Sequence, residues 1–378
     1  MPDKNKKYRI FISAAEPSAD AHCAGLIAAL QKSGYDIEFV GVGGPKMAEA
    51  GCRLLEATVS EAVMIYKAFS HVVRYYKLIK RVTYFLKGNK VDLVIVCDSP
   101  AFNFHIAKAA KKAGIKTVFY VAPQLWAWGG WRIHKLRKCC DKLCCILPFE
   151  QDWFSQRGMD VVFVGNPLLD ELQIDSAHHK IYADFTANNA IIALMPGSRN
   201  TEIDSLWEPM QQIALRLKDK YSAASFVTVA VDAEREQLLR KTQVPGFECQ
   251  YTIGSVSDTA NTVDFAIVAS GSATLEVTAA GCPMVIMYQS SKIIWHLLGW
   301  LIKTKYLSLV NILAGKELVP EFMPYFSSIE PIAESIGRLL EDRDKLTQIS
   351  GELIKLVEPL AEKKARQEVA GIVLEMLP

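Results

Sequence analysis

The 378-residue chain lacks a long hydrophobic run, an internal repeat, a low-complexity segment and a strong bias of charge. No apolar run approaches the length of a membrane-crossing helix, so no segment is expected to span a bilayer. The formal net charge of only +2 argues against a dedicated nucleic-acid binder, which normally carries a strongly basic face. Because no sequence repeat of fixed length is present, a solenoid fold is excluded.

The cysteines do not form a disulfide framework, because nine is an odd number and they are spread over a long chain. Their one cluster is Cys139, Cys140, Cys144 and Cys145. If a strand covers residues 142–147, Cys144 and Cys145 point to opposite faces and cannot share a metal ion. We expect reduced, buried thiols in a cytosolic protein, since the polar start before Tyr8 fits no signal peptide.

Metal-binding patterns in the sequence are poor. His178 and His179 are adjacent in a polar linker, which does not suit a preformed site. Asp342-Arg343-Asp344 lies in a charged helical tail, where a solvated helix end explains it better than a metal motif does.

Short runs rich in Val and Ile alternate with amphipathic stretches, which is typical of parallel sheets covered by helices. Helices are predicted at Ala21–Ser33, from about Tyr66 to Leu86, at Phe102–Ala113 and in the tail from Ile329 onward. The predicted strands are Tyr8–Ser13, Ile37–Val42, Val91–Cys97, Thr117–Ala122, Lys142–Leu147, Val161–Val164, Ala190–Met195, Phe226–Val231, Glu248–Thr252, Val263–Val268 and Pro283–Tyr288.

The pattern predicts an α/β fold of two Rossmann-like, doubly wound parallel-sheet domains with a cleft between them. A chain of this length exceeds what one core usually fills. Gly165-Asn166-Pro167 interrupts the alternation, so we assign residues 1–167 to the first domain and 168–345 to the second. Residues 346–378 are C-terminal helices that could pack back on the first domain.

The segment from Val263 to Tyr288 indicates a nucleotide site in the second domain. A strand runs into a turn of small residues, Ser270 to Thr274, and then into a short helix. Such a turn, including Ser270, Gly271 and Ser272, leaves backbone N–H groups exposed to a phosphate. Glu276 lies one turn further, where it can accept hydrogen bonds from ribose hydroxyls.

A second loop of the same domain strengthens this interpretation. Pro196-Gly197-Ser198-Arg199 follows another predicted strand, where Gly197 permits close approach of the backbone and Arg199 can clamp a pyrophosphate. Read alone, Arg199 is an ordinary surface arginine. Two such loops at the ends of neighbouring strands favour a nucleoside diphosphate.

In the first domain, Asp98 ends a buried strand at the expected ligand edge of the sheet. Ser99 and Pro100 read as the N-cap and first residue of the next helix, which leaves Asp98 without a capping role. It is either a general base or a turn aspartate bonded to nearby amides. After the first strand, Ser18 reads as a helix cap with Glu16 and Asp20 near the positive end of that helix.

Tryptophans mark two further segments. Trp126, Trp128 and Trp131 crowd a loop followed by Arg132 and other cations. They either pack or form a sugar or acyl platform, and the cations favour an anionic acceptor or an anionic membrane surface.

The second segment is apolar on all sides. Ile293–Ile302 contains Trp295 and Trp300, is bracketed by lysines, and is too short to span a bilayer. It is either a buried helix or one that dips into a single leaflet.

With these residues assembled, the chain resembles the lipid-A-disaccharide synthases over nearly its whole length. The segments that carry the resemblance are specific in this order and spacing. They are Gly41–Met47, Asp98–Asn103, Trp126–Trp128, Leu147–Glu150, Val164–Asp170, Met195–Arg199, Ala269–Glu276, Tyr306–Asn311 and Leu313–Glu321.

The resemblance implies an inverting glycosyltransferase of the GT-B type, peripheral on the inner face of the cytoplasmic membrane. Family members join UDP-2,3-diacylglucosamine to 2,3-diacylglucosamine 1-phosphate, and they release UDP as the β-1,6 disaccharide 1-phosphate forms. The resemblance places the base on Asp98 and UDP-sugar contacts on Arg199, Glu276 and Asn311. The resemblance implies these two sugars and the membrane surface as partners, and it implies no metal or organic cofactor. No nucleic acid is expected, and a homodimer is left open.

The chain departs from the family pattern in several loops. Alanine replaces glycine at Ala15 and Ala19, and Ile65, Asn166 and Pro324 replace other usual residues. These changes put the acyl-chain length and the exact lipid in doubt. Two alternatives stay open: a transferase or epimerase acting on another UDP-N-acetylhexosamine, and an inactive relative that binds a nucleotide sugar or lipid.

Overall fold

The computed structural model describes residues 2–58, 68–172, 174, 179–254 and 256–378. Within these ranges, the side chains of residues 68–73, Ile294 and Leu298 are not described. The chain forms two compact units. The first comprises Met1–Asp170 together with Glu362–Pro378, and the second comprises Glu171–Ala361.

The first unit is built on seven parallel strands in the order β3-β2-β1-β4-β5-β6-β7. Apolar residues fill β4 without alternation, and all five are buried, as expected of a parallel strand that is covered on both faces. The strands are β1 (Tyr8–Ala14), β2 (Ile37–Gly43), β3 (Arg53–Ala57), β4 (Leu93–Cys97), β5 (Lys116–Tyr120), β6 (Lys142–Cys145) and β7 (Val161–Phe163).

Helices connect these strands and cover the sheet. They are α1 (Pro17–Gln31), α2 (Pro45–Glu49), α3 (Ala68–Gly88), α4 (Pro100–Lys112), α5 (Ile133–Cys139) and α6 (Pro148–Ser155), with a 3₁₀ turn at Gly130–Arg132. α1 contacts α2, whereas α3 contacts α4 and α4 contacts α5. Because crossovers between parallel strands are right-handed, the reversal of strand order at β1 and β4 places these two helix groups on opposite faces.

The second unit contains a six-stranded parallel sheet in the order β10-β9-β8-β11-β12-β13. Its strands are β8 (Ile191–Met195), β9 (Ser225–Ala230), β10 (Gln250–Ile253), β11 (Phe265–Ala269), β12 (Met284–Met287) and β13 (Glu321–Phe322). Its helices are α7 (Asn200–Lys220), α8 (Ala233–Lys241), α9 (Val256–Thr262), α10 (Ala273–Ala279), α11 (Lys292–Leu298), α12 (Leu309–Ala314), α13 (Glu330–Leu340) and α14 (Arg343–Ala361).

The end of the chain is divided between the units. α14 belongs to the second unit, and from Glu362 the chain returns to the first, where α15 (Ala365–Met376) packs on α1. The Asp170 carboxylate accepts hydrogen bonds from the backbone N–H groups of Ala365 and Arg366, at 2.7 and 3.0 Å. A carboxylate at this helix N-terminus satisfies donors that otherwise lack partners.

The predicted fold class is confirmed, and all eleven predicted strands are present with each end within two residues of its predicted position. Two strands were missed. β3 is a short edge strand whose sequence carries two charged residues, and β13 has only two residues. The first helix begins at Pro17 rather than Ala21. The helix between β3 and β4 was predicted to begin at about Tyr66, which lies outside the described residues.

No helix among the described residues combines the length and the hydropathy that a membrane crossing requires.

His22 of α1 generates a prediction about acid stability. Burial, together with the charges of Arg366 and Lys46, lowers its pKa from 6.5 to about 4. Below pH 6.5 the unfolded chain binds a proton that the folded chain does not bind, so folding stability is lost as the pH falls from 6.5 toward 4. The full difference corresponds to roughly 3 kcal/mol.

We expect the His22→Gln variant to lose about 2 kcal/mol less than the wild type between pH 7 and pH 5. Urea unfolding followed by tryptophan fluorescence at the two pH values measures this difference. Equal losses in the two proteins would show that His22 does not contribute to acid sensitivity.

Candidate active site

The chain turns sharply at the carboxyl end of β4. Asp98 and Ser99 both adopt positive φ angles, 49° and 43°, and Val121 at the end of the adjacent strand β5 has φ 62°. Aspartate tolerates this region, whereas it costs serine and a β-branched valine of order 1–3 kcal/mol each. Residues held this way cluster at functional sites, so the backbone itself points to this edge of the sheet.

Asn103 of α4 holds the turn in place. Its fully buried side-chain amide donates to the carbonyls of Cys97 and Asp98, both at 2.8 Å, and its oxygen accepts from the Ser13 hydroxyl at 2.7 Å. The Asp98 N–H also donates to the Tyr120 carbonyl at 3.1 Å. These bonds fix the backbone on either side of Asp98. The half-buried Asp98 side chain therefore leaves the carboxyl edge of the sheet in a defined direction.

Glu16 lies at the neighbouring strand end, and the structure connects it to the same turn. β1 and β4 are paired, and the Ser99 hydroxyl donates to a Glu16 carboxylate oxygen at 3.0 Å. Ser99 is the N-cap position of α4, as predicted, but its side chain makes no capping bond. The strand order reverses between β1 and β4, which is where open parallel sheets bind ligands.

One prediction for the first helix is wrong. Ser18 is not its cap, because α1 begins at Pro17 and Glu16 occupies the N-cap position, where its side chain makes no capping bond. Asp20 lies in the first turn of α1, as predicted; it is buried and also caps α2, accepting from the backbone N–H groups of Gly44, Lys46 and Met47. Ala15 and Ala19 replace glycines without strain, since neither adopts a positive φ.

The tryptophan loop divides into a buried and an exposed part. Trp126 is only 9% exposed, and its indole N–H donates to Glu150 at 2.8 Å, so this ring packs inside the unit rather than facing a membrane. Trp128 and Trp131 are 46% and 60% exposed. The Arg132 guanidinium stacks over Trp128 at 4.2 Å from the ring centroid, which keeps cation and ring together at the surface.

In the second unit, the loop after β8 has the geometry that its sequence predicts. Gly197 has φ +105°, and a Cβ there would lie 2.4 Å from Glu202, so only glycine fits. Glu202 accepts from the backbone N–H groups of Ser198 and Arg199 at 3.0 and 3.2 Å. The exposed Arg199 guanidinium contacts the same carboxylate at 3.2 Å.

The turn after β11 lies beside that loop, because β8 and β11 pair directly. The Ser270 N–H donates to the Met287 carbonyl, so this donor is already used in a hydrogen bond to β12. The backbone N–H groups of Gly271, Ser272 and Ala273 make no hydrogen bond within the described part of the chain. A Cβ on Gly271 would meet open space, so these donors are accessible.

Glu276 and Asn311 have different surroundings. Glu276 lies on α10 behind the turn, and burial raises its pKa. Asn311 is fully buried, and its amide bonds to Val319, Leu318 and the Glu321 carboxylate. The structure therefore gives Asn311 an internal role in holding the segment before β13, and a direct sugar contact stays a prediction.

α11 presents apolar side chains to solvent rather than to a core. Ile293 and Leu297 of α11, and Trp300 of the 3₁₀ turn Gly299–Leu301 that follows it, are 72%, 65% and 77% exposed. Trp295 is half-buried, and Lys292 is exposed at the start of the helix. The alternative of a buried helix is wrong for this face, while the alternative of an interfacial helix stays a prediction.

Among the described residues, no three His, Cys, Asp or Glu side chains gather in a metal-binding cluster. All nine cysteines are free thiols, and eight of them are buried. His178 lies outside the described residues.

Sequence reasoning missed four residues that organise these sites: Asn103, Glu150, Glu202 and Glu321. Each is polar and bonds to backbone N–H or C=O groups of a nearby loop. Asn103, Glu150 and Glu202 lie beyond a strand end, whereas Glu321 is the first residue of β13. Glu150 and Glu202 were detectable, because a glutamate three residues after an N-cap is a capping signal. Asn103 and Glu321 act through contacts that only the fold creates.

Solved structures with similar folds include proteins that handle UDP-sugars. An 11% identical putative UDP-N-acetylglucosamine 2-epimerase from Listeria monocytogenes matches with a TM-score of 0.64 over 98% of this chain and 95% of that one. A 14% identical UDP-GlcNAc 2-epimerase from Neisseria meningitidis, bound to UDP-GlcNAc, matches at 0.61 over 98% and 99%. At these identities the likeness shows the fold alone.

Sequence comparison is more specific. The lipid-A-disaccharide synthase of Trichlorobacter lovleyi is 34% identical, with 98% of this chain and 97% of that protein covered. Lipid-A-disaccharide synthase 1 of Legionella pneumophila is 32% identical, with 98% of each covered. The family model described as lipid-A-disaccharide synthetase matches residues 10–376. The chain therefore belongs to the lipid-A-disaccharide synthetase family.

Proposed function

We propose that Asp98 is the general base of this glycosyltransferase, and that the loops after β8 and β11 bind the UDP part of its donor. The family's activity, synthesis of the lipid A disaccharide, makes the chain an enzyme that uses a UDP-sugar donor and a sugar phosphate acceptor. The observation that carries the proposal is the strained, pinned turn that holds Asp98 at the switch point of the first sheet.

The chemistry requires one proton acceptor and one stabilised leaving group. As the acceptor hydroxyl attacks the anomeric carbon, its proton passes to the Asp98 carboxylate, and the bond from that carbon to UDP breaks. A positioned base of this kind contributes typically 10²–10⁴-fold to the rate. Glu16, bonded to Ser99 in the same turn, is placed to bind the acceptor sugar.

The donor loops supply the charge stabilisation. A diphosphate leaving group is stabilised by fixed hydrogen-bond donors. Three accessible N–H groups in the turn 271–273 and the Arg199 guanidinium supply such donors. Binding requires Arg199 to exchange part of its contact with Glu202 for phosphate oxygens. Glu276 accepts hydrogen bonds from ribose hydroxyls.

The precise donor is UDP-2,3-diacylglucosamine and the acceptor is 2,3-diacylglucosamine 1-phosphate, as in the family. The epimerase alternative is not favoured by the family match.

Asp98→Asn tests the base directly. The amide keeps the shape of the side chain but cannot take the proton, so product formation falls by about 10³-fold or more while UDP affinity changes less than about twofold. Mass spectrometry of the product from the two diacylated sugars measures turnover, and calorimetry measures UDP binding. Turnover near the wild-type rate would remove Asp98 from the mechanism.

Glu276→Gln provides the complementary variant. It removes a charged acceptor on the donor side, so UDP affinity falls by about tenfold, which corresponds to one charge-assisted hydrogen bond. If both variants change UDP affinity equally, the assignment of base and donor roles to different units fails.

We also propose that the protein is peripheral on an anionic membrane surface. In the first unit, α3, α4 and α5 together carry eleven Lys and Arg residues and no Asp or Glu. Tyr76 and Tyr84 of α3 are 58% and 82% exposed, and Trp128 and Trp131 precede α5. Cations with interfacial aromatic rings suit anionic head groups. In the second unit, the exposed face of α11 offers side chains for the acyl boundary.

The α11 contact is testable with a matched control. The triple change of Ile293, Leu297 and Trp300 to serine removes side chains worth several kcal/mol of burial, so affinity for phosphatidylglycerol vesicles falls by about tenfold or more. Ile181→Ser, at an equally exposed site in the same unit (71%), leaves vesicle affinity unchanged. Equal binding by all three proteins in vesicle flotation would contradict the α11 contact.

A further inference from the structure

Glu150 is a buried carboxyl group at the carboxyl end of β6 that the mechanism above does not use. It is 1% exposed. One carboxylate oxygen accepts from the Trp126 indole N–H at 2.8 Å, and the other accepts from the backbone N–H groups of Ile146 and Leu147 at 3.2 and 3.1 Å. The two backbone bonds are those of a helix cap for α6.

A cap does not account for the indole bond. Trp126 belongs to the loop after β5, so Glu150 joins the loops of two adjacent strands. Trp126 also packs edge-on against Phe149 with ring centroids 4.8 Å apart. Together these contacts fix the loop that follows β5, the strand whose Tyr120 carbonyl holds the Asp98 N–H.

Glu150 is also electrostatically coupled to Asp98. Burial raises the pKa of Glu150 to about 7, even though its three hydrogen bonds favour the charged form, and the negative charge of Asp98 raises it further. The interaction is mutual, because a charge on either carboxylate disfavours a charge on the other. Hydrogen bonds connect these loops in two steps: the Asp98 N–H donates to Tyr120 at the end of β5, and Trp126 in the loop after β5 donates to Glu150.

One other titratable group interacts with Glu150. It is the Cys145 thiol on β6, whose pKa burial and the Glu150 charge both raise. That thiol stays neutral near pH 7.

We infer that Glu150 is a positioning residue for the base: through the indole of Trp126 it holds the loop after β5, the strand whose Tyr120 carbonyl fixes the Asp98 N–H. This inference rests on the proposed role of Asp98. When Glu150 binds a proton, its oxygens become weaker acceptors for the indole N–H and for the backbone N–H groups of Ile146 and Leu147. Weakening these bonds reduces proton transfer from the acceptor sugar.

The pH dependence of the single-turnover rate tests the inference. In the wild type the rate falls as the pH drops through about 7, because the carboxyl group is then protonated. In Glu150→Gln this inflection is absent, and the rate at pH 8 is about tenfold lower than in the wild type. A role in folding alone would lower the rate by the same factor at every pH, and that result would overturn the inference.

Trp126→Phe is the second variant, since it keeps the carboxylate and both capping bonds. Loss of the indole N–H removes a donor that favours the charged form, so the inflection moves to higher pH. An unchanged inflection in Trp126→Phe would also overturn the inference, whether or not Glu150→Gln folds.

Asp98→Asn, measured alongside, separates the two proposals. If Asp98→Asn is active, the proposed base is wrong whatever Glu150 does. If Asp98→Asn is inactive and Glu150→Gln retains the inflection, only the role of Glu150 is wrong.

Discussion

The first unit's site depends on the side-chain amide of one buried residue, Asn103. Its bonds to the carbonyls of Cys97 and Asp98 and to the Ser13 hydroxyl join the ends of β1 and β4 through α4. Without those bonds, two consecutive residues with positive φ would relax, because the strain of a few kcal/mol has no other local compensation of this strength. The turn is thus preorganised before any substrate binds. A general base needs such a fixed position to contact the acceptor hydroxyl.

The two units repeat one sheet topology and use it for different chemistry. In each, the strand order reverses between the first and fourth strands, β1 and β4 in one unit and β8 and β11 in the other. The first switch point presents carboxylates, Asp98 and Glu16, which suit a hydroxyl acceptor. The second presents backbone N–H groups and Arg199, which suit a diphosphate. Fold alone would not distinguish these roles, since the side chains after each strand decide them.

Much of the fold was predictable, because buried parallel strands read as continuous apolar runs and both sheets have them. The sequence also placed Asp98, Gly197 and the turn at 270–272 correctly at strand ends. It did not reveal that Ser99 and Val121 have positive φ, since neither residue type favours that region. Nor did it reveal the bond between Asn103 and Ser13 on another strand, the bond between Glu150 and Trp126 in another loop, or the burial of Asp20, whose capping target α2 is more than twenty residues away. Such roles arise from tertiary contacts that no local pattern encodes.

The most direct test of the central claim is the turnover of Asn103→Asp. This change keeps an acceptor for Ser13 but replaces the amide donor with a carboxylate that faces two carbonyls. The account predicts a folded protein with UDP affinity within about twofold of wild type and a single-turnover rate reduced by about 10²-fold, as expected when a base is displaced. A folded Asn103→Asp variant that turns over at the wild-type rate would contradict the claim that this pinned turn positions the base.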